Sequence, residues 1–289
     1  MIRAFETLNP SERTQLFDLI NNHDPALFPT LEKMVRVYGG VVYDGGLSQF
    51  SCWEEGRIRG AIALVTKEIE IKGEAFVHGV FIDEPAAFEG LLLRALEYLP
   101  KTPLEVKLGL PPKATELGEI AHRQGFREGY FLLELTYEEH SFAQTKTLRF
   151  DALTKKNRKL FQDSVNGAFL HSPNGAQLSE EEVDELIADN DGQDFMGIAF
   201  SGERAVGVYQ LSLKDGIGWI DTIGIHPDHQ GQGFGKAILE HGLNCLRAHG
   251  SSEIKLTVIS SNENAVRLYR RHGFARERIL SRWLEKTLH

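Results

Sequence analysis

Apolar and polar positions in the second half of the chain change period several times, and each change marks an element. Residues 219–225, Trp219-Ile220-Asp221-Thr222-Ile223-Gly224-Ile225, alternate like a strand that His226-Pro227-Asp228 stops. Strict alternation puts Asp221, Ile223 and Ile225 on one face. Phe234, Ile238, Leu239, Gly242, Cys245 and Leu246 then recur at helical spacing. A strand over 253–259 leads to a helix with Asn262 as N-cap, Ala265, Leu268 and Tyr269 on one face, and Gly273 at C′. Upstream, residues 145–153 read as a strand and 155–169 as a helix. Ser179-Glu180-Glu181-Glu182 has the capping-box form that starts another helix, whose stripe is Val183, Leu186 and Ile187. Strands follow over 194–200, 205–213 and 218–225.

The first half repeats this order faintly. It opens with a short strand and a helix capped at Asn9, with Pro10 at its first position. Residues 53–64 and 200–211 both read as strand, tight turn, strand. Gly60 and Gly207 lie 147 residues apart, and Gly125-Phe126 and Gly273-Phe274 lie 148 apart. Two nearly equal offsets point to one duplicated α/β unit of about 145 residues. The polar segment at 138–144 is the expected boundary, giving lobes at 1–140 and 145–289.

Composition narrows the class. With 42% hydrophobic and 25% charged residues, the 289-residue chain reads as an ordinary soluble globular protein. No stretch has the length of a membrane span and the N-terminus lacks a signal-peptide layout, so no membrane partner is expected. Cys52 and Cys245 read as buried thiols in a reducing, cytoplasmic setting. Net charge is −9, and the most basic run, Lys155-Lys156-Asn157-Arg158-Lys159, reads as one solvated helix turn. Nucleic acid is therefore not an expected partner. His226 and His229 lie close together without a four-ligand set, so no metal is expected.

The chemistry concentrates in Gln230-Gly231-Gln232-Gly233-Phe234-Gly235-Lys236, between strand and helix. Glycines there let backbone N–H groups converge at the positive end of the helix, which suits a phosphate. A dinucleotide fingerprint fails, because its third glycine would fall at Lys236 or Ile238. A P-loop fails too, because Gln230 and Ala237 occupy its first and last positions. Gln-x-x-Gly-x-Gly, through Gln230, Gly233 and Gly235, resembles the pyrophosphate loop of the GNAT acetyltransferase superfamily. Residues 262–274 resemble that family's Asn-x-x-Ala-x-x-Leu-Tyr-x-x-x-Gly-Phe segment.

The resemblance implies two tandem GNAT-like lobes, each a mixed, mostly antiparallel sheet flanked by helices, with acetyl-CoA as cosubstrate. Ile223, Gly224 and Ile225 would pair with the pantetheine arm, and Gln230, Gly231, Gln232, Gly233, Phe234, Gly235 and Lys236 would donate N–H groups to the pyrophosphate. Asn262, Ala265 and Leu268 would complete the cofactor site, Tyr269 would reprotonate the leaving thiolate, and Asp221 would take the proton of the amine. The acidic helix beginning at Ser179 lies where the family builds its acceptor pocket. The first lobe lacks the glycine loop, holds Glu84 and Glu89 in its place, and has Ala121 where the tyrosine would be. It reads as a degenerate lobe that caps the acceptor site or replaces a dimer partner, in a monomer or a homodimer.

Three functions fit this pattern. One is acetyl transfer to a primary amine of a small molecule or peptide, by direct attack in a ternary complex. Another is a noncatalytic acyl-CoA sensor or scaffold, and the last is a tandem acyltransferase of the mycothiol-synthase kind.

Overall fold

The computed structural model describes residues 1–138, 147–170, 177–190 and 192–289. Most of the expected boundary at 138–144, and the start of the strand expected from residue 145, lie outside these. The chain forms two compact units, one of residues 1–131 and 280–289 and the other of residues 132–279.

The first unit contains β1 (Ile2–Ala4), α1 (Pro10–His23), α2 (Leu31–Tyr38), β2 (Gln49–Glu54), β3 (Arg57–Val65), α3 (Ile69–Lys72), β4 (Glu74–Ile82), α4 (Pro85–Tyr98), β5 (Leu104–Leu110) and α5 (Thr115–Arg123). β6 (Arg127–Tyr137) leads into the second unit, which holds β7 (Arg149–Ala152), α6 (Arg158–Phe169), α7 (Glu180–Ala188), β8 (Asp194–Ser201), β9 (Arg204–Lys214), β10 (Ile217–Ile225), α8 (Phe234–Ala248), β11 (Glu253–Ile259) and α9 (Glu263–Arg271). β12 (Phe274–Leu288) starts in the second unit and ends in the first. Strand order is β1-β2-β3-β4-β5-β12 in one unit and β6-β11-β10-β9-β8-β7 in the other. The β4–β5 and β10–β11 pairs are parallel, and every other pair with a described register is antiparallel.

Local chemistry sets the helix ends. Asn9 and Glu12 form a capping box at α1, and Ser179 and Glu182 form one at α7, each bonding the other's backbone N–H. The Asn262 side chain accepts from Ala265 N at 3.1 Å, and Gly273 follows α9 at φ +87°. α6 starts at Arg158, three residues later than the pattern suggests. The Asn157 carboxamide accepts from Thr154 N at 2.7 Å and folds 154–157 into a turn first. Both expected hairpins form, closed by the Glu54/Arg57 and Ser201/Arg204 pairs, at the same offset as the two glycines.

The division of the chain differs from the expected one at its C-terminus. Arg282 to Leu288 pair with Leu110 to Leu104 of β5, and Leu284 is fully buried in the first unit's core. Phe274, at the other end of the same strand, is fully buried in the core of the second unit. Alternation predicts a strand but not which core its far end enters. In the second unit, α8 covers β9 and β10 through Ile238, Leu239, Leu243 and Leu246, while Phe161 and Val165 of α6 pack against Ile198 and Val208 on the opposite face. Among the described residues no helix is long and apolar enough to cross a membrane.

Candidate active site

The central strand of the second unit creates the site by parting from its neighbour. β10 pairs with β11 only from Ile217 to Ile220, whereas its pairing with β9 runs on to Ile225. Beyond Ile220 the β11 side of residues 222–225 has no strand partner among the described residues. Such an edge can accept an extended ligand as an added strand. The gap opens into a cleft of about 780 Å³.

The register breaks where the strands part. Ile220 pairs with Leu211 and Thr222 with Gln210, so Asp221 is the extra residue of a β-bulge. Gly218 and Ile220 approach α8 through Leu246 and Gly242, but Gly224, four residues past Ile220, approaches Ala168 and Phe169 of α6. The Thr222 hydroxyl donates to Gln210 at 2.7 Å on that α6 side. The expectation that Asp221, Ile223 and Ile225 share a face is therefore corrected. The bulge inverts the alternation and leaves Asp221 on the α6 side, with Ile223 and Ile225 turned to α8. Asp221 does not line the cleft. Its residue surface is exposed, yet the protein crowded around the carboxyl raises its pKa, against the opposing effects of the Ser212 hydroxyl and Lys214.

The glycine loop lines one part of the cleft. Gly231 and Gly233 have φ of +74° and +82°, and a Cβ on either would meet nothing within 4 Å. Backbone conformation rather than crowding requires glycine at both. Gly233 is the N-cap of the 15-residue α8, whose first turn has backbone N–H groups without intrahelical partners. The Gln230 side chain braces the loop by donating to Ile225 O at 3.2 Å. Its own N–H goes to Pro227 O at 3.2 Å, so Gln230 is corrected from backbone phosphate donor to brace. Ile223, Gly224, Ile225, Gln230, Gly231, Gly233, Phe234, Gly235, Lys236, Asn262, Ala265, Leu268 and Tyr269 all line the cleft. Gln232 does not; its side chain donates to Asp228 O at 3.3 Å.

Tyr269 is 8% exposed, and its hydroxyl has no hydrogen-bond partner among the described residues. Burial pushes its pKa up to about 12, so it stays protonated at neutral pH. The sequence pattern missed one wall, Gly167, Ala168 and Phe169 at the end of α6, together with Ser261 and Asn264. The only sign of that wall was a pair of small residues ending an apolar stripe. No carboxylate of α7 lines this cleft. Its Glu182 completes the cap, and its Asp184 bonds Arg158 at 2.8 Å. Among the described residues no group of three or more His, Cys, Asp or Glu could hold a metal ion.

The first unit lacks these parts. α4 starts at Pro85 directly after Glu84, with no glycine loop, and Glu84 is paired to Arg59 at 2.8 Å. Ala121 is fully buried in α5. β4 has its own register break, at Gly79 (φ +57°), and beside it pack Tyr38, Tyr43 and His78.

Residues 158–274 match the model of the family described as the Acetyltransferase (GNAT) family. The mycothiol acetyltransferase of Propionibacterium freudenreichii subsp. shermanii is 27% identical over 169 residues, which cover 54% of each protein. The chain thus spans about half the length of that curated relative. A GCN5-related N-acetyltransferase from Sphaerobacter thermophilus shares the fold over 100% of this chain and 96% of its own, at TM-score 0.67 and 16% identity. A tandem GNAT protein from the clavulanic acid biosynthesis pathway does so over 99% and 97%, at TM-score 0.64 and 11% identity. The family match lies over the unit that carries the cleft and the glycine loop.

Proposed function

We propose that the second unit transfers an acetyl group from acetyl-CoA to a primary amine of a small molecule or peptide, by direct attack in a ternary complex. One observation carries this reading: a single cleft joins a helix-start glycine loop, a strand edge and a mostly buried tyrosine whose hydroxyl has no hydrogen-bond partner among the described residues. The dimensions and donors suit a long ligand with a phosphate near its middle and a thioester at one end. Acetyl-CoA supplies the activated acyl group. The loop binds the pyrophosphate, and the backbone of Ile223 to Ile225 aligns the pantetheine arm. Asn262, Ala265 and Leu268 form the opposite wall.

Tyr269 donates the proton that the departing thiolate needs. Its raised pKa keeps that proton in place until a thiolate forms beside it. An alkylammonium titrates near 10.4, so the amine must lose a proton before attack. Asp221 accepts it, directly or through water, if the amine approaches from the α6 side of β10. The raised pKa makes this carboxylate the stronger base. The free thiols of Cys52 and Cys245 fit a reducing, cytoplasmic setting. The mycothiol acetyltransferase relative favours, as a second reading, an acceptor of the kind such enzymes take.

Thiol release from acetyl-CoA with a panel of amines tests the proposal. Tyr269→Phe should lower turnover by about 10²-fold or more while acetyl-CoA binding stays nearly intact. Loss of binding instead would make the tyrosine structural, and a parent protein that binds acetyl-CoA without turnover on any amine would make the chain a sensor.

A further inference from the structure

A second cavity, of about 260 Å³, opens in the second unit between the β7–β8–β9 edge of the sheet and the middle of α8, and it shares no lining residue with the cleft. Strand register explains the space. Tyr209 of β9, Gly197 of β8 and Ala152 of β7 lie opposite one another across three strands, so two of the three positions carry almost no side chain. The Tyr209 phenol lies over Gly197, where a Cβ would stand 2.6 Å from its oxygen. The absence of a side chain at Gly197 is what makes room for the hydroxyl. Tyr209 is 6% exposed and lines the cavity, and its hydroxyl has no hydrogen-bond partner among the described residues. His241 of α8 meets the Tyr209 ring edge to face at 4.8 Å between centroids and stacks on Phe150 at 3.7 Å. Its ring nitrogens likewise bond no described residue. One helical turn on, Cys245 brings a free thiol to the same wall.

A buried hydroxyl left without a partner costs free energy until something bonds it. We propose that this cavity is a second ligand site, for a small uncharged ring that carries one hydroxyl, of the phenol class. Size sets the ring: a dry cavity of roughly 150 Å³ already takes up benzene, so this one can hold a single substituted ring. The walls set the polarity. Leu153, Ile187 and Phe195 are apolar, and burial keeps the polar heads neutral by raising Tyr209 to about 12, raising the Cys245 thiol and lowering His241. Among the described residues that line the cavity, Asp194 bears the one formal charge and no Lys or Arg is present, so an anion is repelled. A hydroxyl matches the two ring heads because it can accept from the Tyr209 O–H and donate to a neutral imidazole nitrogen of His241. A bare hydrocarbon leaves both unmet. The Cys245 sulfur adds a soft, polarizable contact for the ring.

The test is NMR titration of the full chain with phenol, toluene and benzoate. Phenol should bind the parent about tenfold more tightly than toluene, the size of one or two hydrogen bonds between neutral groups, and benzoate should bind more weakly than either. Tyr209→Phe keeps the ring and removes the hydroxyl, so phenol should fall to within about twofold of toluene while toluene binds as before. The two free cysteines report the location. Saturating phenol should slow alkylation of Cys245 by iodoacetamide at least about fivefold and leave that of Cys52, in the first unit, unchanged. Equal parental affinity for phenol and toluene, a phenol preference that survives Tyr209→Phe, or alkylation of Cys245 that ignores phenol each overturns the assignment. Loss of both probes in the variant does so too, because the hydroxyl would then be holding the fold rather than facing a ligand.

Discussion

Acidification should weaken the first unit through one residue, His78. Packing around its ring costs the imidazolium its hydration, although part of the residue still reaches the surface, and lowers its pKa from 6.5 to about 4. Its ring nitrogen lies 3.2 Å from the Tyr43 hydroxyl, and the Tyr38 hydroxyl lies close to the neighbouring residue, Gly79. Burial raises both phenols, that of Tyr43 to about 12, so neither supplies a negative partner for a protonated histidine. Because the folded pKa lies below the unfolded one, the unfolded chain binds more protons between pH 6.5 and 4. Stability is unaffected well above pH 6.5, falls as pH drops through that window, and levels off below about 4. A displacement of 2.5 units corresponds to at most about 3.4 kcal/mol, a sizeable part of a typical domain's stability. Urea unfolding of the parent and of His78→Gln at pH 7, 5.5 and 4 separates this contribution from the carboxylates that titrate over the same range. The parent should lose about 2–3 kcal/mol more than the variant by pH 4. Parallel curves, or an NMR titration of the His78 ring with a midpoint near 6.5, would refute the reasoning.

Gly233→Ala should cost about 1 kcal/mol in thermal unfolding, because φ is +82° but no atom obstructs the methyl group. The same change should weaken acetyl-CoA binding in calorimetry by more than that cost explains, since it tilts the N–H groups of the loop. Leu284→Ala removes a fully buried side chain from the first unit's core and should lower its stability by about 2–5 kcal/mol, read as a lower urea midpoint. A loss below 1 kcal/mol would mean the C-terminal strand is only loosely held.

Much of the site was legible because its signals are local. Gln230 to Lys236 declared a turn that only glycine can make before a helix, and Asn262 and Gly273 marked the ends of α9 by chemistry confined to a few residues. The parts that escaped depend on relations between distant segments. The wall at Gly167 to Phe169 belongs to the cleft only because Gly224 lets α6 approach β10, where a Cβ would meet Phe169 and Ala168 at 2.8 and 2.9 Å. Leu284 reads as one more alternating position until β5 is seen to pair with it.

The bulge at Asp221 is the most consequential of these, because a single unpaired residue reverses every orientation after it. Without the bulge, Asp221 would share a face with Ile223 and Ile225, both of which line the cleft. With it, the carboxylate belongs to the α6 side of the strand, and the backbone edge beyond it has no strand partner among the described residues. Under the proposed function the donor would lie along that edge, with Asp221 on the α6 side of the strand. An amine attacking the thioester while losing its proton to Asp221 must come from the α6 side, and the acceptor pocket has to be sought there.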